Sequence, residues 1–320
     1  MQKKILLAAI LVILSGAVWY YYDIMQENSA PTTVVVSSVS VPDLDFLFAV
    51  MKDKGFAKNN NIELRLVLSN PGEAERKLAY REAGIDVAVF NPIALVRANE
   101  AKNIQLRAFA PLFDTFHSIL VKKDSAYQTL ADLKGKKLAI RPQESAAYNA
   151  TAIAMRVAGL DIQKDFRITF TDIPGSIGLL NTGDVDATLV PTSATVNLLA
   201  SGKFRSIEKL DENWHSIANA QMPFIDFAAH KDWLEANKKV AYRFRKMFLE
   251  SAEYIRDNPD VINEYKDMLG IKNDEGLRLM KERLPLLYPT SWNDSAHTIL
   301  LQKAADLKFI KSVPGEYYFE

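Results

Sequence analysis

The feature that most constrains the fold is an alternation of short β-branched segments and helical segments, which runs from Thr33 to about Lys231. Such an alternation predicts an α/β architecture with mainly parallel sheets. After Lys231 the apolar residues recur at helical spacing, so only helices are expected there. The predicted strands are Thr33–Val39, Ile62–Leu68, Ile85–Phe90, Ile104–Phe109, Ser118–Val121, Lys137–Ile140, Ile168–Phe170 and Ala187–Val190.

Length and composition exclude several classes of protein. A chain of 320 residues suits one two-lobed domain or two domains. Lys+Arg and Asp+Glu both number 39, so a nucleic-acid partner is not expected, because its phosphates would need a basic face. There is no cysteine, which excludes disulfides, thiol catalysis and thiolate zinc sites. The four histidines lack the spacing of a helical metal pair, and we expect neither a metal nor a cofactor.

The first residues predict a membrane anchor. Lys3 precedes an apolar run, Ile5–Val18, which continues into the aromatic cluster Trp19–Tyr22. This stretch is longer than the apolar region of about 7–15 residues in a signal peptide, and it reaches the roughly 17–25 needed to span a bilayer. We therefore predict an uncleaved transmembrane helix within residues 1–25, with a cleaved signal peptide as the alternative. Residues 26–32 are a linker, and the remainder lies on the periplasmic face of the inner membrane.

Five predicted strand–helix junctions contain proline beside polar residues. The carboxyl ends of parallel strands line one edge of a sheet, and ligands bind there. Each helix that begins at that edge offers free N–H groups and a partial positive charge. The sequence therefore predicts a ligand cleft built from these junctions, which are Pro42-Asp43, Asn91-Pro92, Arg141 to Tyr148, Pro174-Gly175-Ser176 and Pro191-Thr192-Ser193.

Four segments resemble the type II periplasmic substrate-binding proteins of ABC importers. The crossover segment HSILVKKDSAYQTLADLKGKKLAIRPQESAAYNAT is similar to the entry into their second lobe. The other three are AERKLAYREAGIDVAVFNPIAL, LLNTGDVDATLVPTSATVNLLASG and EYIRDNPDVINEY, and the resemblance covers about residues 33–270. The closest subgroup is the sulfonate, nitrate and thiamine-pyrimidine binding proteins. The segment VPTS lacks the Glu-Pro often found there, so the ligand class is not carried over.

The resemblance implies a two-lobed Venus-flytrap fold. Lobe 1 would comprise residues 33–118 and 225–320, and lobe 2 residues 119–224. Such a protein captures a small molecule between hinged lobes and delivers it to an ABC transporter permease or another inner-membrane partner. We expect no catalysis, because no catalytic triad, paired carboxylates or phosphate loop is present. The alternative function is a membrane-tethered sensing or interaction module on the same fold, without transport. A defined ligand in the cleft would favour transport or sensing, and a cleft filled by its own side chains would favour a scaffold.

The candidate ligand-binding residues come from the junctions and from the two places where the chain crosses between lobes. Arg141 can bind an anion through its fork of donors, unless it pairs with Glu144 on the surface. Asp43 and Ser145 are also expected to cap helices. The full set is Ser38, Pro42, Asp43, Asn91, His117, Arg141, Ser145, Tyr148, Ser176, Thr192, Ser193 and Asp226.

The sequence leaves the charge of the ligand open. Arg141 favours an anion, whereas Phe113, Phe116 and Tyr148 favour a ring or an apolar chain. His117 is expected at the crossing between the lobes, as a cleft residue or as a structural histidine. Asp226, on the return crossing, would meet a ligand amine.

Overall fold

The computed structural model describes residues 30–70, 72–82, 84–102, 104–115, 117–209, 214–215 and 217–320. The strands are β1 (Thr32–Ser38), β2 (Ile62–Leu68), β3 (Val87–Phe90), β4 (Leu106–Asp114), β5 (Ser118–Lys122), β6 (Lys137–Ile140), β7 (Arg167–Phe170), β8 (Ala187–Val190), β9 (Phe204–Lys209) and β10 (Pro223–His230). The α-helices are α1 (Pro42–Asp53), α2 (Phe56–Asn59), α3 (Glu73–Ala79), α4 (Pro92–Lys102), α5 (Ala146–Val157), α6 (Ile173–Thr182), α7 (Thr192–Ala200), α8 (Lys231–Ala236), α9 (Lys238–Asp257), α10 (Asp274–Leu287) and α11 (Asp294–Asp306). Short 3₁₀ helices span Leu130–Leu133 and Pro259–Glu264.

The described strands form two five-stranded sheets, one in each lobe. The first has the order β2-β1-β3-β10-β4, and the second has the order β7-β6-β8-β5-β9. The two-lobed α/β prediction is thereby confirmed. The expectation of mainly parallel sheets needs correction, because β10 and β5 pair antiparallel with both of their neighbours. Each of these strands is the first one after the chain enters its sheet from the other lobe.

The chain passes between the sheets at two adjacent points. The first passage leaves β4 at Asp114 and enters β5 at Ser118, and the return passage enters β10 at Pro223. The backbone N–H of Thr115 donates to the carbonyl of Met222 at 2.8 Å, so the two passages lie side by side. A chain that enters a sheet at its cleft edge must run away from the cleft, which explains the two antiparallel strands.

Two strands, β9 and β10, were not among the predicted ones. The residues of β10 read PFIDFAAH, and the leading proline and the internal aspartate are typical of a turn rather than of a central strand. The residues of β9 read FRSIEK, whose charges obscure the apolar alternation. Both segments become strands because they pair with neighbouring strands in the folded sheets. The prediction that helices follow Lys231 is confirmed.

Aromatic packing between β10 and two helices holds the core of the first lobe. Phe227 is fully buried, and its ring meets Phe244 at 4.9 Å and Phe248 at 5.7 Å between centroids, both edge to face. The ring centroid of Phe48 in α1 lies 6.5 Å from that of Phe227. This cluster joins α1 and α9 to the strand that returns from the second lobe.

The lobes contact each other through two helices of the second lobe, α5 and α7. Ala150 and Ile153 of α5 are buried in an apolar cluster of the first lobe, and Val196 of α7 is buried in another. The guanidinium of Arg97 also donates to the amide oxygen of Asn149 across the lobes at 3.1 Å. The structure therefore has apolar surface buried between the two lobes.

No helix in the described part of the chain is both long enough and apolar enough to cross a membrane. The anchor predicted within residues 1–25 lies outside that part. The predicted linker, 26–32, is described only from Ala30 onward, and β1 already begins at Thr32.

We expect Phe227→Ala to lower the free energy of unfolding by about 3–5 kcal/mol, because it removes a ring that three aromatic neighbours enclose. Urea unfolding measures the change. Phe170→Ala is the control, since Phe170 is 47% exposed and its truncation should cost less than about 1 kcal/mol. Equal losses in the two variants would contradict the assignment of Phe227 to the core.

Candidate ligand-binding site

A cavity of about 150 Å³ lies where the two lobes and the crossings meet. Its wall is mainly apolar and includes Phe113, Phe224 and Ile225 near the crossings and Leu287 from the end of α10. Polar groups reach it from both lobes, and they are Asp43, Asp114, His117, Arg141, Ser145 and Thr192. A mostly apolar wall with a few polar groups is the usual composition of a small-molecule site.

Helix starts supply most of the polar wall. Residues at the beginnings of α1, α5, α6 and α7 line the cavity, as the predicted junctions require. The fifth junction, at Asn91, does not reach it. The amide oxygen of Asn91 accepts from the N–H of Ile93 at 3.1 Å, and its amide nitrogen donates to the carbonyl of Phe224 at 2.9 Å. Asn91 thus caps α4 and ties it to the start of β10.

Arg141 is one of the residues that line the cavity. It follows β6 directly and is partly buried. It makes no hydrogen bond or ion pair with any residue that the structure describes, so the surface pair with Glu144 is not formed there. Its fork of donors is therefore available to an acceptor or an anion in the cavity.

Asp43 of the first lobe is hydrogen-bonded to the second lobe. It is 5% exposed, and Ser193 at the start of α7 donates to it from the backbone N–H and from the hydroxyl. Burial raises the pKa of Asp43 to about 6, and the two hydrogen bonds from Ser193 counteract part of that rise. Asp43 does not cap its own helix, since α1 has no side-chain cap. One carboxyl oxygen, Oδ1, has no partner among the described residues.

His117 lies at the crossing, as predicted, and lines the cavity. It is 8% exposed, and its ring packs edge to face against Phe224 with 4.8 Å between centroids. Burial lowers the pKa of His117 to about 4, so the imidazole is neutral at pH 7. Its Nδ1 atom has no hydrogen-bond partner in the described part of the chain.

Ser145 and Thr192 complete the polar wall from the second lobe. The hydroxyl of Ser145 accepts from the N–H of Tyr148 at 3.1 Å, so it caps α5 and lines the cavity at the same time. Thr192 is buried as the first residue of α7. Both positions place the free N–H groups of a helix start beside the cavity.

Five other candidate residues lie outside this cavity. Ser193 does not line the cavity but donates hydrogen bonds to Asp43, which does. The hydroxyl of Tyr148 accepts from Gln163 at 2.9 Å, and its ring packs in the second-lobe core. The hydroxyl of Ser38 donates to the carbonyl of Val39 at 3.3 Å, and the hydroxyl of Ser176 donates to the carbonyl of Ile173 at 2.8 Å. Pro42 is exposed to solvent.

Asp226 belongs to a second cavity, of about 350 Å³. Tyr317 donates its hydroxyl to Asp226 at 2.5 Å, and Nε2 of His297 lies 3.3 Å from both carboxylate oxygens. Burial lowers the pKa of His297, but the charge and hydrogen bond of Asp226, the carbonyl of Asn293 and the charge of Asp114 together raise it above its ordinary value. Asp114 lines both cavities, and burial raises its pKa to about 8.

Several wall residues were not expected from the sequence. Phe224 and Ile225 lie in the unpredicted strand β10, and Leu287 is far along the chain at the end of α10. Asp114 ends a strand that was expected to stop at Phe109. Phe113 was among the aromatic residues expected near the ligand, and Phe224 could have been suspected from its place on the return crossing. Leu287 carries no such signal.

Two lobes joined by a double crossing, with a cavity between them that helix starts line, are the architecture of periplasmic substrate-binding proteins, and the sequence comparison identifies the family within it. Residues 66–262 match the family described as ABC transporter, phosphonate, periplasmic substrate-binding protein. The match covers more than half of the chain, and the chain belongs to this family. The resemblance seen in the sequence is confirmed.

Solved structures share the fold at low sequence identity. The aliphatic sulphonate binding protein SsuA from Escherichia coli is 18% identical, with a TM-score of 0.67 over 90% of this chain and 95% of that one. The alkanesulfonate-binding protein SsuA from Xanthomonas axonopodis, bound to MOPS, is 16% identical, with a TM-score of 0.68 over 89% and 96%. The nitrate-binding protein NrtA from Synechocystis is 13% identical, with a TM-score of 0.63 over 88% and 82%. No curated protein matches the chain in sequence.

We expect the stability of the protein to fall between about pH 4 and pH 8 through Asp114. Its folded pKa of about 8 lies above the ordinary aspartate value, so its contribution is complete at low pH and is lost as the pH rises through 8. Asp114→Asn should remove this loss, which amounts to at most about 1.4 kcal/mol for each pH unit. Urea unfolding of both proteins at pH 5, 6.5 and 8 measures it. A constant difference in stability between the two proteins across that range would contradict the prediction.

Proposed function

We propose that this protein captures a small solute in the interlobe cavity and delivers it to an ABC transporter permease in the inner membrane. Its family membership and the two contacting lobes support this role. Residues 33–118 and 225–320 form the first lobe of the receptor, and residues 119–224 form the second. An uncleaved helix within residues 1–25 keeps the receptor at the periplasmic face, close to its transporter.

The observation that carries the proposal is Arg141, an arginine without a described partner in an otherwise mainly apolar cavity. A dry engineered cavity of about 150 Å³ holds one benzene molecule, which sets the scale of the solute. The solute therefore has an apolar body about as large as one ring and an anionic or strongly accepting group for Arg141. The alternative role is a membrane-tethered sensing or interaction module without transport. A cleft filled by its own side chains would favour a scaffold of that kind, whereas this cleft retains a cavity of about 150 Å³.

The first experiment is native mass spectrometry on the full chain, purified from its native host. A discrete added mass that disappears on denaturation supports the receptor, and its formula gives the solute. The intact mass also shows whether residues 1–25 are retained. If the protein carries no added mass and gains no thermal stability from a broad panel of metabolites, the receptor function is contradicted.

We expect Arg141→Ala to weaken the binding of ring-sized anions by about 10- to 100-fold, because a hydrogen bond to a charged group contributes about 1.5–3 kcal/mol. Isothermal titration calorimetry with benzenesulfonate, and with the solute that copurifies, measures the change. Arg65→Ala is the matched control, since Arg65 is exposed on β2 and does not line the cavity. An unchanged affinity in Arg141→Ala would contradict the role of this residue.

A further inference from the structure

A third cavity, of about 240 Å³, is lined by both lobes and shares no residue with the cavity at Arg141. Arg97 of α4 and Phe309 line it from the first lobe, and the second lobe contributes one flank of α5 and the segment after it. Two of its lining residues, Gln143 and Arg156, are exposed, so a solute can reach it from outside.

Arg97 is a half-buried cation without a counter-ion in this cavity. Its Nε donates to the carbonyl of Phe309 at 2.6 Å, and its Nη1 donates to the amide oxygen of Asn149 at 3.1 Å, so both acceptors are neutral. Its Nη2 makes no hydrogen bond with a described residue and is not closed off from solvent. Burial lowers the pKa of Arg97, and the charges of Glu100 and Tyr148 counteract part of that fall. Buried charged side chains are normally paired, so this guanidinium lacks an anion.

The flank of α5 that faces the cavity carries a second arginine. Asn149, Ala152 and Arg156 all line the cavity and follow one another at intervals of three and four residues, which places them on one face of the helix. Arg97 bonds to Asn149 at one end of this face. Arg156 lies about 10 Å further along the helix axis, since each residue adds about 1.5 Å. The two arginines therefore come from different lobes and line one cavity about two helical turns apart.

The other polar groups of the wall add donors and one carboxylate that is already paired. The hydroxyl of Tyr148 accepts from Gln163 at 2.9 Å, so its O–H remains available for another acceptor. Asp161 is the one carboxylate among the described residues of the wall. It is bound by Nη2 of Arg156 at 2.7 Å and by the N–H of Gln163 at 3.0 Å. With two guanidinium groups against one satisfied carboxylate, the cavity carries a net positive charge and an excess of donors.

We propose that this cavity is an effector site for a small oxyanion of the phosphate type, which bridges Arg97 of the first lobe and Arg156 of the second. The planar forks of two guanidinium groups match the oxygens of such an anion, and the hydroxyl of Tyr148 donates to a further oxygen. The site is separate from the proposed solute cavity and goes beyond the receptor function. Because the bound oxyanion contacts both lobes at once, it stabilises the state in which they are joined.

Isothermal titration calorimetry of the full chain with inorganic phosphate tests the site, at an ionic strength held constant with sodium chloride. We expect Arg97→Gln and Arg156→Gln each to weaken phosphate binding roughly tenfold, because each removes a hydrogen bond between charged groups. Tyr148→Phe keeps the ring, removes one neutral donor and should weaken binding by about threefold. Arg167→Gln is the matched control, since Arg167 is exposed on β7 and does not line the cavity, and its affinity should be unchanged.

Arg141→Ala separates this site from the solute cavity, which also contains an arginine. Phosphate binding that persists in Arg141→Ala and weakens in both Arg97→Gln and Arg156→Gln supports the proposal. Binding that Arg141→Ala abolishes and the other two variants leave unchanged would overturn the oxyanion site and leave the receptor function intact. A loss in only one of the two arginine variants contradicts the bridge between the lobes.

Thermal melting shows whether each variant is folded. If Arg97→Gln does not fold, Arg156→Gln and Tyr148→Phe decide the outcome, because neither side-chain change removes a contact between the lobes. Absence of phosphate binding by the unaltered chain at millimolar concentrations also overturns the site. If phosphate binds through Arg97 and Arg156 while neither benzenesulfonate nor a copurifying solute binds, the receptor function fails and the oxyanion site stands.

Discussion

The double passage of the chain between the two sheets is the constraint on which the rest of the structure depends. The hydrogen bond from Thr115 to Met222 holds the two passages together. Because both passages meet the sheets at the cleft edge, the strands that follow them run away from the cleft, and the remaining strands direct their carboxyl ends toward it. The helix starts, the imidazole of His117 and the ring of Phe224 reach one cavity as a result of this connectivity.

The local elements could be predicted from the sequence, because their determinants are local. Apolar alternation and the proline-containing junctions located most of the strands and the helix starts that face the cleft. The strand β10 could not be predicted in this way. Its residues, from Pro223 to His230, are poor in intrinsic strand signals, and they become a central strand only because β3 and β4 pair with them on both sides. The mixed direction of the sheets follows from the same long-range pairing.

The residues of the candidate site that lie at a predicted strand–helix junction, such as Arg141 and Ser145, could be predicted from the sequence. It was not predictable where two distant segments meet. Asp43 was expected to cap its helix, but the structure directs its carboxylate to Ser193 in the other lobe. The wall residue Leu287 lies more than ninety residues beyond the nearest junction along the sequence. Desolvation, which a sequence does not show, then sets the charge states of Asp43 and His117.

The apolar contacts between the lobes also determine how the cleft responds to temperature. Ala150, Ile153 and Val196 of the second lobe are buried against the first. Any movement that separates the lobes hydrates these side chains, and hydration of apolar surface raises the heat capacity. Hydrophobic contacts also weaken on cooling. The free-energy difference between the separated and the joined lobes therefore follows a curve with temperature. Cooling shifts the equilibrium toward separation even when every polar contact in the cleft is unchanged.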